Sequence, residues 1–219
     1  MCAHYEGLND PRVFLDEFQV EPPAAGSVKA DVWPGYASAF IRRPLLADVG
    51  DEAVPEREAL PGKFGLVPHW AKDLKSSRST YNARTETVAE KPSFRDAWRR
   101  GQFCIIPAQA IYEPDWRTGK AVSTRITRVD GKPMGIAGLW AWWKGVVDKA
   151  GTVEEVLSFT MLTVNADQRP FMRNFHKPQD EKRMVVVLPE DSYASWLTVK
   201  PKDAMGFMRV YRGDGLEAA

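Results

Sequence analysis

The chain has 219 residues, 44% of them hydrophobic, with 30 basic side chains against 29 acidic ones and a formal charge of +1. That length supports one substantial core, and the charge balance excludes a global polycation, so any nucleic-acid contact must come from a local patch. The two cysteines, Cys2 and Cys104, are too few and too far apart for a disulfide framework, and no apolar run approaches the ~18 residues of a membrane span.

Asp10-Pro11 followed by Val13, Phe14, Glu17 and Phe18 predicts a capped helix with proline in its first turn and an apolar stripe. Ala39-Phe40-Ile41 has strand composition and ends at Arg42-Arg43, whereas 48–61 is acidic and proline-bounded and reads as a solvated connection. Pro92-Ser93 opens a second helix that carries Phe94, Ala97 and Trp98 on one side and stops at Gly101. Residues 103–106, 124–128, 134–143, 158–164 and 183–188 read as β-rich segments, 191–197 as a late helix and 206–211 as a final strand. The expectation is an α+β fold, one domain over 1–219 built around a curved, barrel-like, mostly antiparallel sheet with flanking helices. Trp98, Trp140 and Trp142 are expected in its core.

Cys2 stands directly behind Met1, so removal of Met1 leaves an α-amine and a thiol on neighbouring carbons. The amine, with a reference pKa of about 7.7–8.0, condenses with an aldehyde to a Schiff base, and the thiol then closes a thiazolidine ring on the same carbon. An aldehyde is therefore the electrophile to look for, and a ring-opened abasic deoxyribose carries one. Glu113 follows the apolar and aromatic pair Ile111-Tyr112, where partial burial would raise a carboxyl toward neutrality and fit it for general acid–base work; a salt-bridged strand-end carboxylate is the plainer alternative. Asn82 and Arg84 alternate along an extended segment and share one face with Glu86, which is expected to orient Arg84. His4, His69, His176 and the two cysteines lack metal-ligand spacing, so no metal and no cofactor is expected.

Met1-Cys2, then 65–70 (GLVPHW), then 82–87 (NARTET), then Ile111-Tyr112-Glu113 behind Cys104-Ile105-Ile106-Pro107 occur in one order along the chain. In this the sequence resembles the SRAP family, the SOS response-associated peptidases or abasic site processing proteins. The resemblance continues through Ala137-Gly138-Leu139-Trp140, 158–163 and His176 with Arg183-Met184, and covers about residues 2–190. It implies an enzyme that exposes Cys2 by autocatalytic removal of Met1. It also implies that Cys2 traps abasic sites of single-stranded DNA, including those at single-strand to duplex junctions, as a reversible thiazolidine crosslink that shields them from cleavage.

By the same resemblance Glu113 shuttles protons, and His176 gives or takes one at the sugar ring oxygen. Asn82 and Arg84 hold the sugar and its phosphates, and Arg183 contacts the DNA backbone. Pro68-His69-Trp70 wedges against a base, with Trp70 as the stacking ring. Lys72, Lys75 and Arg78 follow that wedge and read as a phosphate stripe. A cytoplasmic monomer, nucleoid-associated when bound to DNA, is expected.

Three departures stand out. The family commonly begins Met-Cys-Gly-Arg, whereas here Ala3 and His4 follow Cys2, which removes one expected phosphate contact. Asp31 aligns with the asparagine of an Asn-x-x-Pro motif ending at Pro34, where it either repels phosphate or holds the Cys2 amine as an ammonium. The loop 177–182 is longer than the common pattern and heavily charged. Two other classes compete: an N-terminal-nucleophile amidohydrolase whose Cys2 attacks a small amide, and a binding module that grips single-stranded DNA through Trp70 and Arg84 with Cys2 idle.

Overall fold

The computed structural model describes residues 2–47, 54–211 and 215–219. Five strands pair in a closed ring: β3 (Ala37–Arg42), β4 (Glu58–Phe64), β9 (Val153–Asn165), β8 (Met134–Val146) and β6 (Phe103–Asp115), with the Ile41–Ile105 pairing returning β6 to β3. All pairings are antiparallel except those of β4 and of β5 (Asn82–Arg84) with β9. This fits the α+β expectation, with twelve strands and few helices among the described residues. No helix among them is long and apolar enough to cross a membrane.

The ring closes because its inward positions are apolar and bulky. Phe40, Phe64, Phe159 and Met161 are fully buried, and Phe159 packs against Phe64 and Phe40 with ring centroids 5.6 and 5.7 Å apart. The helix α1 (Pro11–Phe18) forms as its sequence predicts: the Asp10 side chain accepts from the Arg12 amide at 2.9 Å, and Phe14 and Phe18 are buried.

β6 is long enough to serve two purposes. Its first half pairs with β8, while its second half leaves the ring and pairs with β1 (His4–Gly7) on one side and β7 (Val122–Arg128) on the other. His4 thereby faces Tyr112, one residue before Glu113, and the chain start is brought to the far end of β6. At the other margin β5 and β10 (Arg183–Val185) both pair with the last residues of β9, which gathers Arg84 and Arg183 around Thr163–Asn165.

Three expectations are corrected. Residues 48–53 of the anticipated connection lie outside the described residues, but Glu58–Phe64 is strand; Pro61 sits exposed in it, facing Ala39. Residues 206–211 are not a strand: a 3-10 turn spans Ala204–Phe207, and Phe207 is drawn onto Trp196 at a centroid distance of 5.5 Å. The last strand is instead β12 (Leu216–Ala218), which pairs with β7. Trp142 is 47% exposed, because beyond Ala141 the β8–β9 hairpin runs out of the ring. Its neighbour Trp143 faces the other way, is buried, and donates to the Ala71 carbonyl at 2.8 Å.

The loop carrying Pro68-His69-Trp70 is pinned at both ends. Thr80 accepts and donates through its backbone carbonyl and hydroxyl to Leu66, and the Val67 amide donates to the Ser158 hydroxyl at 2.9 Å. Gly65 makes this closure possible: its φ is +111°, and a Cβ there would lie 1.8 Å from the Ser77 carbonyl oxygen. Gly65→Ala is therefore expected to lower stability by at least about 3 kcal/mol in urea unfolding. A loss below about 1 kcal/mol, the range of an ordinary surface change, would contradict the close approach.

Candidate active site and nucleic-acid interface

Four side chains from distant parts of the chain meet where β1 joins β6. Cys2 is 1% exposed, its thiol directed at the His4 carbonyl at 3.3 Å. The Asn82 amide donates to the Cys2 carbonyl at 2.7 Å, so β5 holds the first described residue directly. Glu113 is 2% exposed, and its Oε2 lies 3.0 Å from Nε2 of His176, itself 8% exposed. His176 reaches this position from a left-handed backbone, φ 62°, anchored by its amide on the Pro114 carbonyl at 2.9 Å. The bridge between Asp115 and Phe175 fastens the same segment to β6.

Burial, and secondarily the nearby Glu113 carboxylate, push the Cys2 thiol from its ordinary 9.0 up to about 12. The sulfur is thus a protonated thiol at neutral pH. An amine on the same residue is the stronger nucleophile under those conditions, and the sulfur becomes reactive when a neighbouring base takes its proton. Glu113 and His176 supply a carboxyl and an imidazole in contact with each other, a relay able to carry a proton in either direction.

Asn82 and Arg84 do flank a buried Ala83 on one face, and Arg84 is exposed. Arg84 is not oriented by Glu86. Its guanidinium is held by Glu181 at 2.8 Å, while Glu86 makes a forked pair with Arg183 at 2.8 and 3.1 Å. Arg183, expected at the DNA backbone, is 2% exposed and also bonded to Glu181 and to the Thr163 carbonyl at 2.7 Å each. Its position inside the strand pair β9–β10 turns it into an internal tie instead of a surface cation. The charged loop 177–182 accounts for this: Glu181 reaches back between the two arginines, and Lys182 is buried with its ammonium on the Lys177 carbonyl at 2.5 Å.

The wedge residues divide. Pro68 is buried, His69 is exposed with its ring 3.6 Å from Asp96, and Trp70 is 52% exposed with its indole N–H on the Pro92 carbonyl at 3.4 Å. Trp70 therefore presents a ring to solvent and is not core. Lys72, Lys75 and Arg78 are all exposed on the same loop.

Two of the departures prove to be partners. His4 Nε2 lies 2.5 Å from Asp31, and the imidazole is stacked between Trp33 and Tyr112 with both centroids 4.1 Å away. Asp31 is thus engaged by the His4 ring, and the bond from His4 lowers the pKa of its carboxyl. The pair spans 27 residues and exists because β1 pairs with β2 (Asp31–Val32), which the spacing along the sequence does not announce.

Comparisons with known proteins agree on the kinship. The description SOS response associated peptidase (SRAP) matches residues 1–219. An abasic site processing protein of Bacillus subtilis, YoaM, is 31% identical over 224 residues, covering all of this chain and 89% of that protein. The mouse abasic site processing protein HMCES is 33% identical, over 32% of this chain and 20% of its own length. A crystal structure of a protein from Bordetella bronchiseptica superposes with a TM-score of 0.85 at 46% identity, covering 100% of this chain and 98% of that one.

A thiol raised from 9.0 to about 12 has a thiolate fraction at pH 8 about a thousandfold below that of a free cysteine. Iodoacetamide labelling of Cys2, followed by peptide mapping from pH 7 to 10, is expected to be correspondingly slow and to keep accelerating above pH 9. A rate that levels off near pH 9, as for an exposed thiol, would contradict the burial.

Proposed function

The chain belongs to the SRAP family, and from that membership together with the convergence of Cys2, Asn82, Glu113 and His176 we propose that it processes abasic sites in DNA by covalent capture. The observation that carries the reading is the placement of the Glu113–His176 contact, at 3.0 Å, beside a buried cysteine at the start of the chain.

Met1 lies outside the described residues; its removal frees the Cys2 amine. His176 exchanges a proton with the sugar ring oxygen, which opens the abasic deoxyribose to its aldehyde. The amine adds to the aldehyde carbon, and the resulting carbinolamine loses water to give an imine, with Glu113 delivering the proton that departs as part of that water and taking the proton that nitrogen gives up. The Cys2 sulfur then adds to the imine carbon. Glu113 accepts the thiol proton and returns one to nitrogen, so ring closure loses nothing further. Run backwards through the same proton transfers, the sequence releases the aldehyde.

Arg84 and Asn82 position the sugar and its phosphates, and Trp70 stacks on a neighbouring base of the single strand. The protonated thiol favours this amine-first order over thiolate attack on an amide, as an N-terminal-nucleophile amidohydrolase would require.

Protein confirmed by intact mass to start at Cys2 is expected to form a heat-stable adduct with single-stranded DNA bearing one abasic site and none with the intact strand. Cys2→Ala should form no adduct, and Glu113→Gln should slow formation by at least about a hundredfold, the range of a lost general acid–base. An adduct that persists in Cys2→Ala, or no adduct from the processed protein, would overturn the reading.

A further inference from the structure

The stack beside Cys2 continues outward through Trp33 and Tyr36, which none of the roles above uses, toward Lys75 and Arg78 of the expected phosphate stripe. Trp33 covers His4 with one face and remains 43% exposed, and the Tyr36 amide donates to the Trp33 carbonyl at 2.9 Å. Tyr36 is 41% exposed and carries the Lys29 ammonium 4.1 Å from its ring centroid. Lys63 donates to the Gly35 carbonyl at 2.9 Å from beneath the same turn. A groove of about 300 Å³ follows, walled by Tyr36, Lys63, Lys75 and Arg78.

Aromatic rings half open to solvent and interleaved with ammonium and guanidinium groups are the chemistry of a single-strand platform, in which rings take base faces and cations take phosphates. Along this path the cations Lys29, Lys63, Lys75 and Arg78 face the carboxylates Asp31 and Asp73. Asp31 is shared between His4 and the Trp33 indole, at 2.5 and 3.3 Å, and Asp73 lies 3.6 Å from Lys75. In a chain of formal charge +1, this is a local basic patch. Its inner ring, Trp33, stacks on His4, which is two residues along the chain from the proposed nucleophile.

We infer that the Trp33–Tyr36 face with Lys29, Lys63, Lys75 and Arg78 is a second strand-holding track, which binds the single-stranded nucleotides flanking an abasic site on one side. The inference rests on the proposed function for its ligand and assigns the polarity-dependent part of affinity to residues outside the reacting centre. Trp33 supplies the inner stacking face, in the place where an expected phosphate contact from residue 4 is missing. Lys63 and Arg78 hold the phosphates that follow.

The test uses the wild-type protein and fluorescein-labelled single strands containing a tetrahydrofuran abasic analogue, which has no aldehyde and so reports non-covalent binding only. The analogue is flanked by two nucleotides on both sides, or extended to eight on the 5′ or the 3′ side alone. Extension on one side is expected to tighten binding at least about tenfold, and extension on the other much less. Trp33→Ala should remove most of that gain and Trp33→Phe should retain it. Lys63→Ala with Arg78→Ala should reduce the salt slope of the extended strand by about 0.7 for each cation removed.

Equal gains on both sides, a gain unchanged in Trp33→Ala, or a Trp33→Phe variant as weak as Trp33→Ala would overturn the track. A natural abasic site in the shortest strand is assayed in parallel for adduct formation. Failure there counts against the proposed function, whereas an adduct with no side-dependent gain counts against the track alone.

Discussion

A carboxyl and an imidazole buried in contact, Glu113 against His176 at 3.0 Å, is the constraint around which the rest of the molecule is arranged. Burying two titratable groups is costly unless each is the other's partner, so the fold must hold them in register from opposite directions. β6 does this for Glu113 by belonging to the ring at one end and to the β1–β7 extension at the other. The left-handed turn at His176, bonded to Pro114, does it for the imidazole. Cys2 follows from the same strand, since β1 is registered on β6 and Asn82 closes on the Cys2 carbonyl.

Around this centre the charges are organised in alternation. Glu181 lies between Arg84 and Arg183, and Glu86 completes the set. Burial works against the Arg183 charge, but the two carboxylates outweigh it and raise its pKa, so the cation stays ionised inside the β9–β10 pair. Its service is then to fix Glu181 and the segment leading from His176. Arg84, half exposed, is the member of this network that a phosphate can reach, in competition with Glu181.

Much of this is legible in the sequence where the physics is local. The cap at Asp10, the apolar stripe of α1 and the alternation of Asn82 and Arg84 are short-range patterns, and each has its expected form. The chemistry proposed for Cys2 is argued from its place behind Met1. What escapes is set by distant pairings. Nothing near His4 announces Asp31, and nothing in the loop 177–182 announces that Glu181 turns inward to two arginines. Pro61 reads as a breaker and yet is carried in a strand, because its neighbours' pairing with β3 completes the ring. Trp142 shares its alternation with Trp140 but lies past the edge of the core, a boundary set by the length of the hairpin and not by the residue.

The central claim is that one residue provides both nucleophiles while a buried acid–base pair moves the protons. Mass spectrometry of the DNA adduct tests it most directly, after nuclease and trypsin digestion and with borohydride added before or after the reaction reaches completion. The account predicts that peptide 2–12 carries the sugar fragment with the loss of a single water, and that the completed adduct resists borohydride because the imine has closed to a thiazolidine. A sugar attached to a lysine elsewhere, or a completed adduct that borohydride still reduces, would contradict it.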